Sequence, residues 1–236
     1  MDLYRPQAVV TTPRVDLRAV MQEVYLWMSA GLAVSAVFAV IFASTGLTAV
    51  LASRPILMMV MLVELGLVWY LSARIFQMSP ATASLLFLVY AAMNGATLSI
   101  IFYVADLVDI YLAFFAAGAM FAAMSIVGYT TKVDLSRLRG ILLMALIGLI
   151  IASIVNIFLA SSTLYWLVNY AGVLIFVALT AYDTQWIKRA ALHIEAQGIG
   201  EGEAVIRQIA IIGSLHLYLD FVNLFLFMLR IMGRRR

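Results

Sequence analysis

The stretch Gly213–Arg230, GSLHLYLDFVNLFLFMLR, is apolar enough to lie in a membrane, yet it carries an aspartate, Asp220, in its middle. A carboxylate at the centre of a bilayer costs about 2.5–3.5 kcal/mol on insertion scales, and charges kept at that depth usually serve a function. A second acid, Asp183, lies near the end of the preceding apolar run, in LTAYDTQ. We therefore expect these two acids, on neighbouring helices, to form the working centre of an integral membrane protein.

The composition is that of a membrane protein. Hydrophobic types make up 65% of the 236 residues and charged types 11%, whereas soluble domains have about 45–50% and about 25%. No cysteine is present, which excludes disulfides, thiolate metal sites and cysteine nucleophiles. The net charge of +3 is small, and the arginines lie at the ends of apolar runs. This pattern indicates a lipid bilayer as partner and no nucleic acid.

Seven apolar runs are long enough to span a bilayer, which takes about 20 mostly apolar residues. They cover residues 27–51, 56–76, 82–104, 110–130, 140–160, 163–187 and 209–232. The runs predict an all-α integral membrane protein with one seven-helix transmembrane domain at 27–232. A polar tail at 1–26, expected in the cytoplasm, precedes this domain, and a basic tail at 233–236 follows it.

Lysine and arginine predict the orientation, because short cytoplasmic loops carry most of them. With the N-terminus in the cytoplasm, ten basic residues fall on cytoplasmic segments and only Arg54 falls on an opposite loop. The C-terminus does not fit this rule, because a seventh full span would place Arg230 and Arg234–Arg236 on the side opposite the cytoplasm. A seventh segment that enters and returns would satisfy these charges. A full span better satisfies the length of 209–232, so we favour seven spans.

Five ionisable side chains lie within the apolar runs: Glu64, Arg74, Asp183, His216 and Asp220. Arg74 and Asp183 are predicted at similar depth near the cytoplasmic side, where an ion pair would lower the cost of burying either. Each residue also has a structural interpretation. Asp220 would be an interhelical hydrogen bonder, Asp183 an interfacial acid and Glu64 a buried protonated acid. Arg74 would be an anchor that reaches the interface, and His216 a packing residue.

The depth of Asp220 is less simple to predict. Asp220 follows Arg207 by 13 residues, about 20 Å of helix, whereas Asp183 is about 7 Å from Lys188. If depth in the membrane is counted from these basic residues, the two acids lie at different depths and cannot contact each other. They meet only if the seventh helix enters the membrane near Gly213. If they meet, the two carboxyls would share one proton and form a proton-sensitive latch.

Enzyme signatures are poor, so we expect no enzyme. There is no His-Glu-x-x-His, no Gly-x-Ser-x-Gly and no phosphate loop. An intramembrane aspartyl protease would also use two acids, and Tyr182-Asp183 resembles its Tyr-Asp pair. The Gly-x-Gly-Asp expected around the second acid is replaced by Leu217-Tyr-Leu-Asp220, which argues against that class.

Three segments resemble the Bax inhibitor family, and in particular its proteobacterial inner-membrane members. They are GYTTKVDLSRLRGILLMALIG at 128–148, IFVALTAYDTQ at 175–185 and LHLYLDFVNLFLFMLRIMG at 215–233. The resemblance implies a seven-helix bundle whose last helix is central and surrounded by the other six. It also implies a pH-sensitive calcium leak in the bacterial inner (plasma) membrane, with calcium as the transported ion and no cofactor.

The resemblance assigns roles to single residues. The family's paired aspartates fall on Asp183 and Asp220, which favours a membrane start of the last helix near Gly213. The family's second-helix arginine, which pairs with the sixth-helix aspartate in the closed state, would be Arg74, and its second-helix acid would be Glu64. Calcium prefers oxygen ligands, which both aspartates and Glu64 can supply. At low pH the protonated pair would hold the last helix as a plug, and ionisation at higher pH would shift it.

An alternative function is that of an interaction protein. Some family members modulate a membrane-anchored ATP-dependent (AAA) protease and are its substrates through a cytoplasmic N-terminal tail. The tail of this chain, MDLYRPQAVVTTPRVDLRAV, is long and polar. Deleting Met1–Thr12 would discriminate between the two functions, because a leak would survive the deletion and protease binding would not.

Overall fold

A computed structural model describes residues 16–197 and 202–233 of the chain. In this part the regular structure is entirely helical, with two short 3-10 turns at Ile75–Gln77 and Leu135–Leu138. The α-helices are α1 Leu17–Thr45, α2 Leu47–Leu51, α3 Arg54–Arg74, α4 Pro80–Leu98, α5 Ile101–Val104, α6 Leu107–Thr130, α7 Arg139–Leu159, α8 Ser162–Gln197 and α9 Gly202–Met232. The tail segment Met1–Thr12 and the basic residues Arg234–Arg236 lie outside the described residues, so the protease alternative stays a prediction.

Seven helical stretches of the described chain are long and apolar enough to cross a membrane, as predicted. They are Leu17–Thr45, Arg54–Gln77, Pro80–Val104, Leu107–Thr130, Leu135–Leu159, Ser162–His193 and Ala204–Met232. This confirms the all-α, multi-pass membrane fold. The first helix begins ten residues before the predicted position 27. The prediction started too late because it required a continuous apolar run, whereas Val20, Met21 and Val24 are buried although Gln22 and Glu23 interrupt the run.

Proline and serine determine two of the helix starts. Helix α3 begins at Arg54 with Pro55 in its first turn, where the missing N–H of proline costs nothing. Helix α4 begins at Pro80, and the preceding Ser79 Oγ accepts a hydrogen bond from the Thr82 N–H at 3.2 Å. A serine cap of this kind satisfies one of the free N–H groups of the first turn. Both breaks were predicted from the Arg-Pro and Ser-Pro pairs.

Helix α9 is the axis of the bundle. In its most apolar 18-residue window 78% of the residues are buried, against at most 33% in the other spans. It packs against α1, α4, α6 and α8, whereas α3 packs mainly on α4 and α7 mainly on α8. The last helix is therefore central, but four helices form its main surroundings instead of the predicted six.

Polar groups attach one face of α9 to α1 and α4. The Tyr218 hydroxyl lies 2.6 Å from Ser35 Oγ of α1 and donates to Asn94 Oδ1 of α4 at 3.0 Å. One turn earlier, Ser214 Oγ donates to the backbone oxygen of Val24 at 2.9 Å. On the side of α9 that faces α1 and α4, these polar groups are therefore hydrogen-bonded. The acid pair lies on the other side of α9, towards α7 and α8.

The loop before α7 is held against α8. The side chain of Gln185 accepts from the Leu135 N–H and donates to the Val133 oxygen, both at 2.8 Å. Arg189 Nη1 forms an ion pair with Asp134. The two sequence segments at 128–148 and 175–185 are therefore in direct contact through this loop.

Acid should weaken this loop contact through Asp134. Hydrogen bonds from the Ser136 hydroxyl and N–H, and then from the Arg189 guanidinium, lower the pKa of Asp134 to about 2. Because this folded-state pKa lies below the ordinary value, the carboxylate stabilises the fold above about pH 4, and that contribution is lost as the pH falls through about 2.

We therefore expect Asp134→Asn to lower the unfolding temperature at neutral pH, by an amount that shrinks as the pH approaches about 2. Thermal unfolding in detergent, followed by tryptophan fluorescence across the acidic range, measures the difference. A difference that stays constant with pH would contradict the assignment.

Candidate functional site

The two aspartates singled out from the sequence lie side by side on α8 and α9. The carboxyl groups of Asp183 and Asp220 are within reach of a mutual side-chain hydrogen bond. Asp220 is only 4% exposed, and its Oδ2 is buried without a hydrogen-bond partner. A buried carboxyl oxygen that lacks a protein partner is available to a proton, a water molecule or a cation.

The depth count that separated these acids used the wrong reference points. Helix α8 continues nine residues beyond Lys188, and α9 begins eleven residues before Gly213. The two helices form a long hairpin, in which Asp183 and Asp220 reach similar heights. That the last helix enters the membrane near Gly213 stays a prediction. Gly213 lies inside α9, where a Cβ would come 2.7 Å from Cγ1 of Ile187, so glycine permits the close approach of α8.

His216 is the third titratable group of the site. Its Nδ1 lies 3.8 Å from Asp183 Oδ1 and is buried without a hydrogen-bond partner. The imidazole also packs against Trp186, with ring centroids 5.4 Å apart. The sequence interpretation of His216 as a packing residue missed the contact with Asp183. The signal was its position four residues before Asp220, which puts both side chains on one face of α9.

The acid pair lies on the wall of a cavity of about 710 Å³ that is open on one side. Asp183, His216 and Asp220 form its polar wall, and Asn223 extends that wall along α9. The facing wall consists of apolar side chains of α7 and one polar residue, Ser153, with Leu65 of α3 at the edge. Because α3 and α7 pack mainly on other helices, the space beside this face of α9 remains unfilled.

The structure does not bring Arg74 to Asp183, so the predicted ion pair is not formed here. Arg74 is exposed, and its Nη1 donates to Gln77 Oε1 at 2.9 Å. Among the described side chains it forms no ion pair. The physical reason is the packing of α3, which lies against α4 rather than against α8. Within residues 16–197 and 202–233, the basic side chain that lies beside Asp183 is His216.

Glu64 belongs to a different polar cluster. It is 8% exposed, and its Oε1 accepts from Thr97 Oγ1 of α4 at 2.7 Å. Asn94, which accepts from Tyr218, also lies beside Glu64. Glu64 therefore joins the polar groups between α1, α4 and α9, and it does not line the cavity of the aspartates.

The two aspartates alone are too few to hold a resident calcium ion. Ca²⁺ takes about six to eight oxygen ligands. Across the described side chains, no three histidine, aspartate or glutamate residues are arranged to hold a metal ion. The pair can instead offer two negative charges to a cation whose other ligands are water or backbone oxygens.

Comparison with known proteins finds relatives along the whole chain. A family model described as "Inhibitor of apoptosis-promoting Bax1" matches residues 17–236. The chain is 42% identical to the inner membrane protein YbhL of Escherichia coli strain K12 over 238 aligned residues, with 100% of each chain covered. It is 40% identical to an uncharacterized protein of Borreliella burgdorferi over 91% of each chain. It is 36% identical to an uncharacterized membrane protein of Streptococcus pyogenes serotype M3, over 96% of this chain and 97% of that one.

Proposed function

Because the chain belongs to the Bax inhibitor family, we propose that it is a pH-sensitive calcium leak of the bacterial inner membrane, gated by Asp183 and Asp220. The observation that carries the proposal is the carboxyl pair, with Asp220 buried and Asp183 partly buried, on the wall of an open cavity within the membrane-spanning helices. The N-terminus would lie in the cytoplasm, in agreement with the distribution of basic residues.

The gate works through the charge of the pair. At low pH both carboxyls carry protons or share one, the site offers little net negative charge, and the central helix α9 keeps its packing. As the pH rises the carboxyls ionise and repel each other in a medium of low dielectric constant, and they attract a divalent cation. The cation then replaces the proton as the group that neutralises the pair.

His216 changes the expected identity of the closed-state partner. The resemblance assigned that role to Arg74, whereas in this structure the imidazole of His216 is the group beside Asp183. His216 Nδ1, which lies 3.8 Å from Asp183 Oδ1, is therefore the basic group placed to interact with that carboxyl.

Calcium flux into liposomes tests the gate. The unmodified protein should admit more calcium as the pH rises from about 6 to about 8. In the variant Asp183→Asn/Asp220→Asn the amides cannot ionise, so both the flux and its pH dependence should be lost. Encapsulated calcium-sensitive dye measures the rate of entry at each pH.

The matched control is Glu23→Gln, which removes a carboxyl of α1 that does not line the aspartate cavity. This variant should keep the pH response. A double-asparagine variant with unchanged flux and unchanged pH response would refute the proposed function.

A further inference from the structure

A second cavity continues from the aspartate cavity towards the far end of α9. It has a volume of about 230 Å³ and lies between α7, α8 and α9. Ser153 and Ile157 of α7 line both cavities, so the two spaces are adjacent. The acid pair is therefore not at the bottom of a closed pocket, and space continues beyond it along one seam of the bundle.

A third cavity, of about 320 Å³, extends this space to the end of the helix. It shares Tyr165 and Arg230 with the second cavity, and it reaches Gly233. From Asp220 to Arg230 the ten residues of α9 cover about 15 Å, which is half of the roughly 30 Å hydrocarbon core. The first two cavities border α7, whereas the third lies between α5, the start of α8 and the end of α9. Together the three cavities, which we call the α7–α9 seam, cover the distance from the acid pair to one membrane face.

The wall of the seam carries oxygen atoms with free acceptor capacity. Asn169 is 1% exposed, its Nδ2 donates to the Tyr165 oxygen at 2.8 Å, and its Oδ1 is buried without a partner beside the second cavity. A buried oxygen without a partner is unfavourable, and a water molecule or a cation in the cavity would satisfy it. Ser153 and Asn223 likewise donate to their own helix, at 2.7 Å and 2.8 Å. Their oxygens can therefore still accept.

Arg230 stands at the end of the seam. It is exposed, it lines both outer cavities, and its guanidinium lies 5.3 Å from the centre of the Phe227 ring. Phe227 in turn lines the aspartate cavity. A fixed positive charge at this position repels cations, and it repels a divalent ion twice as strongly as a monovalent one.

We propose that cations cross between the Asp183–Asp220 pair and the membrane face at the end of α9 through the α7–α9 seam, and that Arg230 is the electrostatic barrier that limits their rate. Access of water and ions along this path can be tested without any flux. The role of Arg230 as a barrier rests on the proposed function as a cation leak.

Cysteine accessibility tests the path, because the sequence contains no cysteine. A membrane-impermeant, positively charged methanethiosulfonate reagent reacts with thiolates, which form in water and not in hydrocarbon. Ser153→Cys should react at least about tenfold faster than Ile151→Cys. The control position is on the same helix, is 56% exposed on the bundle surface and does not line the seam. Equal rates at the two positions would overturn the path.

Two further variants report which membrane face the reagent has reached. Gly233→Cys marks the face at the end of α9, and Val133→Cys, in the exposed loop before α7, marks the opposite face. Ser153→Cys should react when Gly233→Cys reacts. Reaction of Ser153→Cys only from the Val133 side would show that the seam does not lead to the end of α9.

Calcium flux tests the barrier. Arg230→Gln should raise the flux at high pH by about tenfold, since it removes the charge that repels the ion. The control Arg54→Gln removes an exposed charge at the start of α3, on the same side of the bundle, and should leave the flux unchanged. An unchanged flux in Arg230→Gln overturns the barrier. If no variant shows any flux, the proposed leak fails, whereas the labelling rates still decide whether the seam admits water.

Discussion

Replacing Gly95 with alanine is expected to reduce the free energy of unfolding by about 1–3 kcal/mol, although alanine is the better helix former by about 1 kcal/mol. A Cβ at Gly95 of α4 would lie 2.6 Å from the Cα and 2.8 Å from the carbonyl carbon of Ser35 on α1. These are backbone atoms, so no side-chain rotation relieves the clash. The two helices must move apart, and the hydrogen bond between Ser35 Oγ and the Ala91 oxygen, 2.7 Å long, would lengthen with them.

The matched control is Gly118→Ala on α6, where a Cβ would meet nothing within 4 Å. This variant should keep its stability or gain slightly from helix propensity. Thermal or denaturant unfolding in the same detergent, followed by circular dichroism, compares the two variants directly. Equal stabilities would mean that α1 and α4 are not in backbone contact at Gly95.

Removing the hydroxyl of Tyr218 should cost about 1–3 kcal/mol of unfolding free energy, because it leaves buried polar partners unsatisfied. In Tyr218→Phe, Asn94 Oδ1 loses its donor at 3.0 Å, and Ser35 Oγ loses its neighbour at 2.6 Å. Since this face of α9 points away from the aspartate cavity, the pH dependence of calcium flux should be retained. A variant that loses stability but keeps the pH response would show that the Tyr218 face of α9 stabilises the fold and that the opposite face controls the response to pH.

Tyr90→Phe is the control for this effect. The Tyr90 ring lies 5.8 Å from the ring of Tyr218, in the same aromatic cluster. No hydrogen bond from its hydroxyl is found among the described residues. Removing the hydroxyl should therefore lower the free energy of unfolding by less than about 1 kcal/mol, which is close to the effect of a typical surface substitution. Equal losses in the two variants would contradict the bridging role of Tyr218.

Much of the architecture could be predicted because the bilayer imposes strong rules on a sequence. Backbone groups in hydrocarbon must be satisfied within their own segment, so each long apolar run has to be a helix. Proline then set the starts of α3 and α4 within two residues of the prediction. The acids Asp183 and Asp220 stood out for the same reason, since an ionisable group in such a run is costly.

Helix contacts were less predictable, as the glycines illustrate. Gly31, Gly95, Gly118 and Gly148 all have a small residue four positions later. Only the first two face a neighbouring helix closely enough to exclude a Cβ, whereas Gly118 and Gly148 have open space around that position. The spacing defines a smooth stripe on a helix, but it does not say whether the stripe faces protein or lipid.

The sequence by itself determined the number of spans, the helical class and the two acids that needed a partner, because each follows from the cost of burying polar groups in lipid. The tertiary structure alone decided which partner each charge found. Helix α3 packs on α4, so Arg74 stays at the surface and His216 takes the place beside Asp183. Pairing across helices depends on packing and on the register of the α8–α9 hairpin, and neither is encoded in the local pattern of a single run.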